Sequence, residues 1–108
     1  MALIVTELSI ELVEALQPFM ARIKARDKDL ENQLKRALNS VALNIGEAEL
    51  SDPGNRRARF FTAAGSAGEA RAGLRLAMGW GIVSRREGER ARALLEQIIR
   101  ILWKLTRG

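Results

Sequence analysis

Apolar side chains return every three or four positions along almost the whole of this chain, and nowhere do they alternate in the period of two that a half-buried strand requires. That pattern restricts the fold to helices packed on helices. At 108 residues the expectation is a single domain, 1–108, able to bury one modest core without staples. Short turns between the segments make it all-α: an antiparallel up-down-up-down four-helix bundle.

The first segment runs from about Thr6 to Lys24, with Leu8, Leu12, Leu16, Phe19 and Ile23 on one stripe. Thr6 or Ser9 can cap its start, because a hydroxyl accepts a bond from an orphan backbone N–H. Pro18 removes a helix hydrogen bond and predicts a kink or interruption there. The second segment starts at Asp27 or Asp29. Its stripe is Leu34, Leu38, Val41, Ile45 and Ala48, a four-three seam widened by Leu30 and Ala37. Asn39, Ser40 and Asn44 flank that seam as inter-helix hydrogen-bonding or solvated groups.

Ser51-Asp52-Pro53-Gly54 punctuates the chain and opens a third segment, about Pro53 to Trp80. This segment turns small after its first turns, with Gly65, Gly68 and Gly73 inside a helix. Each glycine costs roughly 0.5–1 kcal/mol relative to alanine, which predicts that a neighbouring helix approaches the backbone closely. Phe60, Leu74 and Met78 cluster on one side, whereas Leu76 and Trp80 point elsewhere, leaving a second side for a subunit interface. Ser84-Arg85-Arg86-Glu87 is a capping box for a fourth helix reaching about Thr106. Its core face is Ala91, Leu94, Leu95, Ile98, Ile101, Leu102 and Leu105.

The residue inventory narrows the chemistry. There is no cysteine, histidine or tyrosine, so thiolate metal sites, histidine ligands and the commonest general base are excluded. Di-iron carboxylate bundles need Glu-x-x-His on two helices, and GSAGEARAG is neither a Walker A loop nor a dinucleotide fingerprint. Glu47 and Glu49 point to different faces and suit ion pairs with nearby arginines better than acid–base work. The expectation is no enzyme, no metal and no cofactor. The N-terminus has no basic signal-type region, no stretch is long and apolar enough for a membrane span, and a cysteine-free chain fits a cytoplasmic setting.

Charge carries the best functional signal. Residues 1–52 hold six basic and nine acidic side chains, and residues 53–108 hold twelve against four. The outer face of the fourth helix bears Arg86, Arg90, Gln97, Arg100, Lys104 and Arg107, with Glu89 and Glu96 at its edge and Trp103 at its border. Arginine contacts phosphates bidentately and stacks on bases. One helix binds weakly and in a salt-dependent way; a symmetric oligomer repeats the strip and gains by multivalency.

The stretch Ser40-Val41-Ala42-Leu43-Asn44-Ile45-Gly46-Glu47-Ala48 resembles the S-V-P-x-N-I-A-E-G signature of the four-helix-bundle proteins encoded in intervening sequences of bacterial 23S rRNA genes. Ala63, Gly65, Ser66 and Glu69 fall on that family's A-x-G-S-x-x-E pattern. Leu74, Leu76, Ala77, Gly81 and Ile82 continue its ending. Ala42 stands for the usual proline, Gly46 for the alanine, Ala48 for the glycine, and Arg59 where an aromatic is usual. The resemblance implies that Asn44, Glu47, Ser66 and Glu69 are contacts between the second and third helices. The family includes the accessory variability determinant of diversity-generating retroelements. By that resemblance the chain is expected to form a ring-like homo-oligomer, a pentamer, with RNA or DNA as partner and a reverse transcriptase as a further one.

The expected function is therefore non-enzymatic, sequence-independent binding of the RNA or DNA backbone by a homo-oligomeric bundle. The residues expected to hold phosphates are Arg56, Arg57, Arg59, Arg86, Arg90, Arg100 and Lys104. The alternative is a protein-interaction scaffold, in which the two-sided third helix and Trp80 or Trp103 meet a protein and charge only steers the encounter.

Overall fold

Local hydrogen bonds write every turn of this chain. In the computed structural model, which describes residues 2–107, the elements are α1 (Ala2–Arg26), α2 (Lys28–Glu49), α3 (Pro53–Gly79) and α4 (Arg85–Arg107). The Asp27 carboxylate accepts the Leu30 N–H at 2.9 Å and starts α2. The Asp52 carboxylate accepts the Asn55 N–H at 3.0 Å, with Pro53 opening α3. Ser84 and Glu87 close the capping box from both sides: the Glu87 N–H donates to the Ser84 hydroxyl, and the Ser84 N–H to the Glu87 carboxylate, each at 3.0 Å. Gly81 ends the preceding turn at a φ of 72°, a conformation that favours glycine.

One expectation about the first helix fails, and of the kink or interruption expected at Pro18 the interruption does not occur. The helix begins at Ala2, ahead of both Thr6 and Ser9, so neither caps it. The buried stripe extends upstream to Val5, and packing carries the helix past its polar residues. The Thr6 hydroxyl instead donates to the Glu49 carboxylate at 2.8 Å, and the Ser9 hydroxyl to the Thr6 carbonyl. The helix runs unbroken past Pro18 to Arg26. Pro18 and Glu14, one turn earlier, are both exposed, so the carbonyl left without a donor lies on the solvent side, where water can satisfy it.

The helices pack in a square, α1 on α2, α2 on α3, α3 on α4 and α4 on α1. This is the neighbour pattern of an up-down-up-down bundle, and it measures 42 × 22 × 19 Å. The stripes read from spacing form the core. Leu12, Leu16, Ile23, Leu34, Ile45, Leu74, Leu95, Ile98 and Leu102 are all fully buried, each contributing about 1.5–3 kcal/mol of transfer free energy. Phe19 and Leu105 are half-buried at its margin. Among the described residues no helix is long and apolar enough to cross a membrane.

The glycines of α3 divide into two kinds. A Cβ on Gly73 would meet Leu34 Cδ1 of α2 at 3.1 Å, so the expected close approach occurs there. Gly65 and Gly68 have nothing within 4 Å of that position; they open onto the surface, contrary to the expectation. Gly88, at the start of α4, is a second true close approach: its Cβ would lie 3.1 Å from Met78 Sδ and 3.4 Å from Leu74 Cδ1. A polar pair crosses the α2–α3 seam, and Asn44 braces it from within α2. The Ser40 and Ser66 hydroxyls lie 2.6 Å apart, and the Asn44 amide donates to the Ser40 carbonyl and hydroxyl.

Candidate nucleic-acid interface

Helix α4 is strongly two-faced, and its solvent side separates into two rows. The first follows Arg86, Arg90, Ala93, Gln97, Arg100, Lys104 and Arg107 at alternating four- and three-residue steps, which keeps them on one line of the helix. All seven are exposed and none is acidic. At about 1.5 Å per residue the row from Arg86 to Lys104 is about 27 Å long. Among the described residues Arg86, Arg100 and Lys104 have no carboxylate within ion-pair distance, whereas Arg90 meets Glu11 of α1 at 3.2 Å. That pair is exposed and worth little. The row can therefore present four or five cations to phosphates at small cost in broken contacts.

The arginines at the start of α3 are placed differently. Arg56 Nε donates to the Ala48 carbonyl at 3.3 Å, and Arg57 Nε to the Thr106 carbonyl at 2.7 Å. They reach C-terminal carbonyls of α2 and α4; the Ala48 carbonyl also accepts the Ser51 N–H at 3.2 Å. Arg59 pairs with Glu47 at 3.0 Å, which is the ion pair expected for that glutamate. All three are exposed, and a guanidinium with one donor engaged keeps others for an anion. The fold thus brings Arg57 to the Lys104–Arg107 end of the α4 row. Arg86 and Arg90 lie toward the opposite end.

The second row of α4 escaped the sequence reading. Arg85, Glu89, Arg92 and Glu96 face Arg71, Arg75, Leu74 and Met78 of α3 across a groove of about 570 Å³. Arg71 meets Glu96 at 3.2 Å and Arg92 meets Glu89 at 2.6 Å. Arg75 and Arg85 have no acidic partner among the described residues. The signal was present, since 85, 89, 92 and 96 keep the four-three step, but its meaning depends on which residues of α3 lie opposite.

At the far end of α1 and α4, Arg22 donates twice to Glu87, at 2.9 and 3.1 Å, and once to the Ile82 carbonyl. Arg22, together with the Ser84 N–H, holds the Glu87 carboxyl down at about 2. This is a latch between helices rather than a site. Among the described residues no group of three or more carboxylates is placed to hold a metal ion.

A family model described as 23S rRNA-intervening sequence protein matches residues 1–104. A solved structure of a protein of unknown function from the S23 ribosomal protein family, from Bacteroides thetaiotaomicron VPI-5482, superposes with a TM-score of 0.87 at 20% identity. The match covers 96% of this chain and 99% of that one. No curated protein matches.

Proposed function

The chain belongs to the 23S rRNA-intervening sequence protein family, and on that premise we propose that it is a non-enzymatic, nucleic-acid-binding bundle that works as a homo-oligomer. The observation that carries the reading is the acid-free basic row of α4, with Arg86, Arg100 and Lys104 exposed and unpaired among the described residues. Such a row binds phosphates without reading bases. One copy offers few contacts, so affinity depends on several copies acting together.

Exposed apolar side chains support association. Leu43 on α2, Leu76 on α3, and Leu50 and Trp80 at the C-caps of those helices all stand in solvent in the single chain, where a second copy can cover them. The family resemblance extends the proposal to a pentameric ring and to a reverse transcriptase as protein partner. The same exposed residues favour a second reading, a protein-interaction scaffold in which the charge only steers encounter.

The test is binding of labelled RNA and DNA duplexes at low salt, by wild type and by Arg86→Glu/Arg100→Glu/Lys104→Glu. Loss of binding in a variant of unchanged helicity supports the proposal. Equal binding by both proteins, or none by either, rejects it. Capture of a protein partner that survives nuclease treatment, with no direct nucleic-acid binding, selects the scaffold.

A further inference from the structure

The α3–α4 seam continues beyond the arginine groove, and what it reaches is aromatic. On α3 the row facing the seam is Arg57, Phe61, Ala64, Gly68, Arg71, Arg75 and Met78; on α4 it is Arg85, Glu89, Arg92, Glu96, Ile99 and Trp103. Both keep four-three steps, so each is one ridge of its helix. The helices are antiparallel, which fixes the order along the seam. Unpaired Arg75 and Arg85 stand at one end. A floor of small residues follows, where Gly68 has nothing within 4 Å of a Cβ position. Two large rings close the other end.

Beyond register, a hydrogen bond between the helices sets the Phe61 end of α3 beside the Trp103 end of α4. The Arg57 guanidinium lies over the Phe61 ring at 5.6 Å and donates to the Thr106 carbonyl. The Thr106 hydroxyl donates to the Trp103 carbonyl at 2.9 Å, and Arg107 lies over the Trp103 ring at 5.2 Å. Phe61 and Trp103 remain 53% and 56% exposed. Each ring therefore has a cation against it and substantial area left in water. Exposed aromatics beside cations, in line with a basic groove, match the stacking platform and phosphate track of a single strand. A duplex hides its base faces and gains nothing from such rings.

We propose that the α3–α4 seam is a binding site for single-stranded nucleic acid, with unpaired bases stacking on Phe61 and Trp103 and phosphates passing toward Arg75 and Arg85. The inference rests on the proposed polynucleotide function and adds to it the strandedness of the ligand and a second surface. Charge decides for a polyanion over an apolar partner. Four arginines and two glutamates line the groove, and Arg57 and Arg107 flank the rings.

The probes are a labelled oligothymidylate of about 15 nucleotides, within the span of known single-strand sites, an abasic strand of equal length and the matching duplex. Wild type binds the oligothymidylate at least about tenfold more tightly than the abasic strand. Phe61→Ala/Trp103→Ala loses that tenfold, as expected when stacked bases are removed, and binds the abasic strand as wild type does. Phe61→Leu/Trp103→Leu keeps apolar volume and loses the same amount. In a Trp80→Phe background Trp103 is the one remaining indole, and the oligothymidylate quenches its emission. Unchanged affinity in both double variants overturns the seam site while duplex binding by the α4 row still stands. A drop in oligomer mass in those variants, with affinity retained, assigns the rings to contact with a second copy and also overturns it. Absence of binding to all three probes removes this inference together with the function beneath it.

Discussion

Gly73→Ala tests the packing that sets α3 against α2 and so aims both candidate surfaces. An added Cβ would sit 3.1 Å from Leu34 Cδ1, a few tenths of an ångström inside ordinary contact. Leu34 is 1% exposed and fully enclosed, so it has little room to retreat. Alanine gains about 0.5–1 kcal/mol of helix propensity, and overpacking a closed core costs about 1–3 kcal/mol. The net expectation is destabilisation by about 1 kcal/mol. Gly65→Ala, where nothing lies within 4 Å, keeps the propensity gain and stabilises by about 0.5–1 kcal/mol. Urea unfolding at one protein concentration reads both: at about 2 kcal/mol per molar, Gly73→Ala lowers the midpoint by roughly 0.5 M. Leu34→Ala alone costs about 2–5 kcal/mol. In the double variant the new methyl has space, so the two losses sum to more than the observed one, with a coupling of at least about 0.5 kcal/mol. A Gly73→Ala midpoint that rises as the Gly65→Ala midpoint does would refute the close approach and the seam built on it.

Two further outcomes follow from the contacts. The Glu87 carboxyl sits near 2 in the fold against an ordinary 4.5; a depressed carboxyl contributes stability that is present above its unfolded value and lost as pH falls toward its folded one. The stability difference between wild type and Glu87→Gln should therefore be constant above about pH 5 and shrink as acid approaches pH 2; thermal unfolding across that range checks it, and a constant difference contradicts it. Leu43→Glu/Leu76→Glu places charge at two exposed apolar positions, one on α2 and one on α3, and should reduce the mass seen by light scattering to that of one chain with helicity intact; an unchanged mass moves the subunit contact elsewhere.

What could be read from the sequence was what depends on neighbours within a turn. Asp27, Asp52 and the Ser84–Glu87 box act over three residues, and the stripes of α2 and α4 follow from helical period alone. What depends on the opposing surface is not fixed within one helix. Pro18 is tolerated because its side of α1 faces solvent. Gly65, Gly68 and Gly73 look alike in sequence, yet only Gly73 has a leucine against it. Arg56 and Arg57 are basic residues at a turn until the ends of α2 and α4 are seen beside them. Arg75 and Arg85 at one end of a seam, and Phe61 and Trp103 at the other, line up only once α3 and α4 are placed in register.

The most direct test of the central claim is the salt dependence of nucleic-acid affinity. For duplex DNA, log K falls with log salt at a slope of about 0.9 per phosphate neutralised. The row on α4 predicts that Arg100→Gln and Lys104→Gln each reduce that slope by about 0.9 per bound subunit, equally on unrelated sequences. A slope that neither change alters, on a protein that still binds, would show that the phosphates lie elsewhere and contradict the assignment.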